Sequence, residues 1–181
     1  MNRTQAAIGS AIFFVLTPGT VAGLVPYWIT GYRLHEVTSI LSWVRIVLGV
    51  ALAAAGLAVL VKAFVRFVSE GRGTPAPVAP TEHLVVGGTY RYVRNPMYVA
   101  VVAIIVGQVL IFGSIGLLAY AVLIWSMTAA FVRWYEEPVL HARYGTAYDL
   151  YRTSVRAWIP RLRPWTGPEP GDDAVRSIRD R

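Results

Sequence analysis

Glycine, arginine and asparagine residues gather where one polar segment of the chain meets a long apolar run. The group contains Gly87-Gly88, Arg94 and the step Asn95-Pro96. A glycine pair lets backbone amides approach a ligand closely, asparagine is a good N-cap, and proline suits the first position of a helix. A helix N-terminus beside an arginine attracts carboxylate or phosphate. The spacing therefore predicts a site for an anion or a nucleoside.

A second polar group, the acidic pair Glu136 and Glu137, stands just after the other end of the apolar run. Two adjacent carboxylates at a membrane edge are costly unless they meet water, a cation or a diol. Arg133 precedes Glu137 by four residues, so an ordinary helical ion pair is an equally good interpretation. The tyrosines and tryptophan near both groups are also typical of an aromatic belt. The residues alone therefore predict a polar site beside a membrane and leave the reaction open.

The composition places both groups in an integral membrane protein. Hydrophobic residues make up 55% of the 181 residues and charged residues 15%, which is outside the balance of soluble proteins. Residues 6–30 are long enough to cross the hydrocarbon core, and Pro18 and Pro26 predict a kink there. Residues 46–61 are a second candidate span, whose apolar flank extends back to Ile40. No residue from Met97 to Val132 is charged, and glycines near its middle predict the turn of a helical hairpin.

We therefore predict an all-α fold, an integral membrane helical bundle of about four spans that includes a C-terminal hairpin. In that arrangement two of the 17 cationic residues, Arg33 and Arg45, lie on one side and the remainder on the other. The positive-inside rule then places both termini and the central loop in the cytoplasm. Nearly all the cations are arginine, which with the alanine and valine content is typical of high-GC bacteria. We expect a bacterial cytoplasmic membrane.

Three segments are predicted to face the cytoplasm. Residues 69–80 are rich in glycine and proline and predict an irregular connector, and the glycine-arginine motif follows at 82–98. Beyond Pro164 the composition predicts disorder. The third segment predicts an amphipathic helix in the interface, because its apolar residues share one helical face: Tyr144, Tyr148, Tyr151, Val155 and Trp158.

Several chemistries and partners are disfavoured. The chain has no cysteine, so disulfides, thiolate catalysis and cysteine-based metal sites are excluded. His83 has no second histidine near it and is interpreted as a hydrogen-bonding residue, so no metal is expected. The net charge of +7 is explained by anionic lipid, and no nucleic-acid partner is expected. The oligomeric state stays open.

The motifs, in their order, resemble the isoprenylcysteine carboxyl methyltransferase and phospholipid methyltransferase superfamily. The resemblance rests on His-Leu-Val at 83–85, the tyrosine, arginine, Asn-Pro and tyrosine pattern at 88–98, the apolar hairpin, and the acidic pair with its tyrosine series at 136–160. It implies a site for S-adenosylmethionine on the cytosolic side. It also implies a lipophilic acceptor that enters from the bilayer.

The resemblance also implies residue roles. The acidic pair is expected to bond the ribose hydroxyls or the amine of the cofactor and to form an ion pair with an arginine. Arg94 and Glu137 are the expected catalytic residues. Methyl transfer depends on alignment more than on covalent catalysis, so binding roles come first. Glu136, Glu137 or His83 serve as base where the acceptor must lose a proton. The expected cofactor-binding residues are His83, Leu84, Gly88, Tyr90, Arg94, Asn95, Pro96, Tyr98, Glu136 and Glu137.

Two positions depart from the family pattern. Asn95 stands where the isoprenylcysteine enzymes usually carry histidine, and Pro138 predicts a helix break after the acidic pair. We expect an isoprenylcysteine methyltransferase-like enzyme with a small lipid or isoprenoid acceptor. The alternatives are a phosphatidylethanolamine-type N-methyltransferase, an NADPH-dependent sterol-type reductase, and a lipid-binding or scaffold protein without activity.

The expected organisation has three parts. Residues 1–68 hold two transmembrane helices, residues 69–164 hold the cofactor-binding core with its hairpin and interfacial helix, and residues 165–181 form a disordered tail. Small residues of the hairpin, Gly107 among them, predict a lateral opening for one lipid chain. A bulky Gly107→Leu side chain is then expected to slow turnover and to leave cofactor affinity unchanged.

Overall fold

The computed structural model describes residues 16–34, 38–71 and 84–167. His83, residues 72–80 of the predicted connector and residues 168–181 of the predicted tail lie outside these ranges. A π-helical turn at Thr20–Leu24 leads into α1, a 3-10 turn spans Gly88–Arg91, and a second π-helical turn spans Val132–Glu136. The α-helices are α1 (Val25–Thr30), α2 (Ile40–Gly71), α3 (Pro96–Phe112), α4 (Ile115–Phe131), α5 (Glu137–Tyr144) and α6 (Thr146–Ser154).

The helices form the membrane bundle that the sequence predicts. In the described residues, the continuous helical segments Ile40–Arg66 and Ile115–Tyr144 are long and apolar enough to cross a bilayer. The apolar helix α3 is shorter, with 17 residues, which corresponds to about 25 Å. It packs along α2, and α4 runs back beside it. The all-helical membrane fold is confirmed.

The turn of the predicted hairpin is also confirmed. α3 ends at Phe112, and the next residue, Gly113, has a φ of 63°, in the left-handed region that glycine adopts without strain. Ser114 then caps α4 by accepting a hydrogen bond of 3.2 Å from the backbone N–H of Leu117. The guanidinium of Arg45, near the start of α2, lies directly against Gly113. This end of the bundle therefore carries one of the two cations that the charge pattern separates from the others.

Glycines hold α2 and α3 in backbone contact. A Cβ atom at Gly107 would lie 2.6 Å from the carbonyl oxygen of Gly49, and one at Gly56 would lie 2.9 Å from that of Ala100. Both distances are too short for any side chain, so these positions accept only glycine at this helix spacing. The predicted lateral opening at Gly107 is wrong, because α2 already occupies that side of α3.

Two prolines are accommodated by π-helical turns. Pro26 follows the first such turn and has no N–H for the carbonyl of Ala22; the side-chain amide of Gln108 donates to that oxygen over 2.7 Å. Val25 donates to Thr20 instead of the nearer Val21 carbonyl. The hydroxyl of Tyr120 therefore donates to Val21, over 2.9 Å. Polar side chains inside the bundle thus satisfy carbonyls that the proline leaves free.

A π-helical turn also keeps the chain helical at Pro138, where the sequence predicts a break. The second π-helical turn comes directly before α5, and the N–H of Glu137 donates to the carbonyl of Val132, five residues earlier. The wider turn makes room for the proline ring, so the chain stays helical from Ile115 to Tyr144. The predicted helix break is therefore wrong. The continuous helix holds Glu136 and Glu137 in a fixed orientation just beyond the end of α4.

The predicted amphipathic helix is shorter than expected and faces the protein. Gly145, with φ 53° and ψ −129°, separates α5 from α6, and α6 ends before Val155, which is extended. Tyr148 and Tyr151 are 2% and 3% exposed and pack against Leu84. The prediction that Val155 and Trp158 continue this helix is wrong. The face expected to meet lipid is covered by the segment that precedes the 3-10 turn.

Candidate functional site

The glycine-arginine motif is hydrogen-bonded to the segment that follows α6. The backbone N–H groups of Arg94 and Asn95 donate to the carbonyls of Arg156 and Ala157, over 2.9 and 3.3 Å. The side-chain amide of Asn95 also donates to Ala157, over 3.2 Å. Asn95 stands at the N-cap position with Pro96 first in the helix, as predicted, but its side chain makes no cap bond. It joins two distant parts of the chain instead.

A buried ion pair connects the motif to the acidic residues. Arg94 Nη1 lies 2.9 Å from Glu137 Oε1, and the two side chains are 11% and 9% exposed. The same Nη1 donates to the hydroxyl of Tyr148 over 3.0 Å. Arg152, a half-exposed cation on α6, approaches the other oxygen of Glu137 to 3.3 Å. Glu137 thus pairs across the fold with two arginines, and the ion pair considered with Arg133 on its own helix is wrong.

The neighbouring carboxylate has a different partner. The hydroxyl of Tyr98, in the first turn of α3, donates to Glu136 Oε2 over 3.1 Å. Two adjacent acids therefore play separate parts, because one is neutralised by guanidinium groups and the other accepts from a neutral phenol. Tyr98 in turn lies beside Trp158, with ring centroids 6.5 Å apart.

A small cavity lies among these groups and has a volume of about 60 Å³. Arg94 Nε is buried in this region and has no hydrogen-bond partner in the described part of the chain. Tyr151 supports the wall by donating to the carbonyl of Tyr90 over 2.8 Å. The residues that line the cavity are Leu84, Val85, Tyr90, Arg94, Asn95, Val132, Glu136, Glu137, Leu140, Tyr148 and Tyr151.

The two tyrosines of α6 remain protonated donors. Burial raises the pKa of Tyr148 and of Tyr151 above the ordinary value of 10.0. Arg94 acts in the opposite direction on both groups but less strongly than burial. Their hydroxyls therefore carry no charge at neutral pH, and the charge of this cluster comes from the arginines and the carboxylates.

The structure brings most of the sequence-predicted site residues together. Pro96 and Tyr98 stand just behind the lining, where they begin α3 and hold Glu136. Gly88 lines a separate groove, so its predicted place along the same ligand is not supported. His83 lies outside the described residues. The predicted residues that line the cavity are Leu84, Tyr90, Arg94, Asn95, Glu136 and Glu137.

Sequence reasoning missed the contribution of α6. Tyr148, Tyr151 and Arg152 all contact the motif or the acidic pair. The helical spacing of Tyr148 and Tyr151 predicts a face that lies in the membrane interface, and the same spacing is equally typical of a face packed on protein. Arg94 is a cation in a polar motif beside an apolar run, where it needs polar partners, and this could have indicated that some tyrosine hydroxyls turn toward it.

An apolar helical bundle with a buried acid–arginine cluster at its basic end is compatible with the class of membrane methyltransferases that the motifs resemble. The phospholipid methyltransferase family matches residues 44–147, which is more than half of the chain. The chain therefore belongs to the phospholipid methyltransferase family, whose members use S-adenosylmethionine as methyl donor.

One curated relative is phosphatidylethanolamine N-methyltransferase of Botryotinia fuckeliana (strain B05.10), 32% identical over 88 residues. The match covers 46% of this chain and 9% of the relative, so the chain spans only a small part of that protein's length. No solved structure matches the chain. The predicted superfamily is confirmed, and the comparisons favour the phospholipid alternative over the isoprenylcysteine-like interpretation.

The residues present fit one end of S-adenosylmethionine. Arg94 Nε is a buried donor with no partner among the described residues, which suits the carboxylate of the cofactor. Glu136 and Glu137 are acceptors that suit its amine or its ribose hydroxyls. Pockets for ligands of drug size enclose about 300 to 1,000 Å³. The described walls therefore surround only part of the volume that the whole cofactor needs.

Proposed function

We propose that this chain transfers the methyl group of S-adenosylmethionine to the amine head group of a membrane phospholipid of the phosphatidylethanolamine type. The observation that carries the proposal is the buried pair of Arg94 and Glu137, which joins the two motifs at the basic end of an apolar bundle. The family match and the fungal relative support the choice of a phospholipid. The lipid bilayer and a lipophilic acceptor are the proposed partners.

The two carboxylates of the acidic pair are proposed to have different roles. Bound S-adenosylmethionine supplies a methyl group on a positively charged sulfur, which an amine can attack in line. Glu137 lies between two guanidinium groups, an arrangement that suits a binding role. Glu136 accepts only a phenol hydrogen bond from Tyr98. It is the carboxylate better placed to take the proton that the amine must lose.

Arg94 is proposed as the anchor for a carboxylate, with Tyr148 holding the guanidinium in position. The bonds from the motif to Arg156 and Ala157 fix the backbone on which Arg94 stands. The chain thus aligns the reactants with groups that are already in place, which is the main contribution an enzyme makes to an in-line displacement.

Binding of the product S-adenosylhomocysteine is the direct test. We expect it to raise the unfolding temperature of the detergent-purified protein, because a ligand that binds only the folded state stabilises it by mass action. With labelled methyl donor, the label is expected in phosphatidylethanolamine-type lipid of a membrane extract. A folded protein that shows no thermal response at millimolar ligand contradicts the methyltransferase proposal. Label confined to an isoprenoid contradicts the choice of acceptor.

Both termini and the segment between α2 and α3 are proposed to lie in the cytoplasm of a bacterium. Arg45 lies at the Gly113 end of the bundle, whereas Arg66 lies against Gly88 at the opposite end with the motif and α6. Reporter fusions after Arg72 and at the C-terminus should therefore both report cytoplasm, and a fusion near Glu36 should not. Opposite locations for the first two fusions contradict this orientation.

A further inference from the structure

A second concavity, which we name the α2 groove, lies between the end of α2 and the 3-10 turn. It has a volume of about 520 Å³. None of its lining residues belongs to the smaller cavity around Arg94. Its walls include Lys62, Val65 and Arg66 from α2, Gly88 and Thr89 from the turn, and Tyr92 directly after it.

The α2 groove lies at the level of lipid head groups. The apolar segment Ile40–Arg66 ends at the groove, and Lys62 stands one turn inside that end. A lysine at this depth extends its ammonium group toward the interface while its methylene chain stays in the apolar region. Lys62 and Arg66 follow each other by one helical turn, so two cations share this side of α2.

The membrane side of the α2 groove is apolar and open. Val61 and Val65 are 44% and 59% exposed and stand on the same stripe of α2. On a helix that spans the bilayer, exposed valines at these positions contact acyl chains. A ligand that lay in the groove would therefore meet cations at its head and hydrocarbon at its tail.

The floor of the α2 groove holds a donor that has no partner. The hydroxyl of Thr89 is buried and makes no hydrogen bond to any described residue, although buried polar groups are nearly always paired. Gly88 has φ 57°, and a Cβ there would lie 3.4 Å from Arg66 Cγ. The glycine therefore lets the turn lie close to α2 and keeps the floor clear.

We propose that the α2 groove binds the phosphodiester head group of a membrane glycerophospholipid. Lys62 supplies charge, the hydroxyls of Thr89 and Tyr92 donate to phosphate oxygens, and the acyl chains follow Val61 and Val65. Inorganic phosphate shares the first two interactions and cannot use the valines, so the apolar wall favours a lipid. The proposal does not depend on methyl transfer, because none of these residues lines the cavity around Arg94.

The test counts lipids on the full chain in detergent by native mass spectrometry. Titration with dioctanoyl phosphatidylglycerol should give one saturable site, and dioctanoylglycerol, which lacks the phosphate, should not be retained. Lys62→Gln should weaken retention about fivefold, since one cation at a membrane surface contributes about 1 kcal/mol to anionic-lipid binding. Thr89→Val, which has the same shape without the hydroxyl, should weaken it as well.

Arg133→Gln is the matched control, because Arg133 is an exposed cation at the same end of the bundle that does not line the α2 groove. It should retain lipid as the unaltered protein does. Wild-type retention by both groove variants, or an equal loss in the control, overturns the proposal. Competition by inorganic phosphate at the same concentrations as the lipid overturns the assignment to a lipid. S-adenosylhomocysteine binding by the same variants should stay unchanged, so the two proposals fail separately.

Discussion

Glu137→Ala is expected to weaken S-adenosylhomocysteine binding by about 1 to 3 kcal/mol, the range for a lost charge-assisted hydrogen bond. It is also expected to lower the free energy of unfolding by about 3 to 5 kcal/mol, because Arg94 is left buried without its carboxylate. Both side chains are nearly inaccessible, so water cannot replace the lost partner. Calorimetric titration and detergent-phase thermal unfolding measure the two effects. Arg94→Ala should give losses of similar size.

Asp149→Ala provides the matched control. Asp149 pairs with His141 at 2.9 Å, but the two side chains are 45% and 59% exposed, and exposed pairs contribute at most about 1 kcal/mol. The control should leave cofactor affinity and unfolding temperature close to those of the unaltered protein. If Glu137→Ala lowers the yield of folded protein while the surviving fraction binds S-adenosylhomocysteine normally, Glu137 is structural and its binding role is wrong.

The bundle could be predicted because a bilayer imposes simple rules on sequence. Apolar length, the glycine turn at Gly113 and the uneven distribution of arginine each follow from the cost of polar groups in hydrocarbon. The effect of the prolines could not be predicted in the same way. Whether a proline breaks a helix depends on a wider turn before it and on distant residues that bond the free carbonyl. Gln108 is such a residue, and nothing in the sequence around it indicates this contact.

The candidate site could also be predicted only in part. Arg94, Glu136 and Glu137 could be predicted from residue type and from their place at the ends of the hairpin. Which arginine pairs with Glu137 could not be predicted, because the local rule links Glu137 to Arg133 at four residues, whereas the fold brings Arg94 from 43 residues away. Tyr148 was recognised as part of an apolar face. Only the three-dimensional arrangement decides whether such a face meets lipid or protein.

Substitution of Gly107 is expected to separate α2 from α3. Even alanine would place its Cβ 2.6 Å from the carbonyl oxygen of Gly49 and 2.8 Å from the backbone nitrogen of Ala53. Backbone atoms cannot move aside as a flexible side chain does, so the whole helix must shift. Overpacking of this kind costs about 1 to 3 kcal/mol for a small group, and Gly107→Leu should prevent folding of most of the protein. Size-exclusion profiles and thermal unfolding in detergent report the loss.

Gly23→Ala is the control for this seam. Gly23 also lies in a helical turn, and a Cβ placed there would have no described atom within 4 Å apart from its chain neighbours and the backbone of its own helix. Alanine has the higher helix propensity by about 1 kcal/mol, so this variant should unfold at the same temperature as the unaltered protein or slightly above it. Because α2 and α3 are in contact here, Gly49→Ala should destabilise the protein about as much as Gly107→Ala does. If Gly107→Leu folds normally and slows only the turnover of a lipid, the close contact of α2 with α3 at Gly107 is wrong.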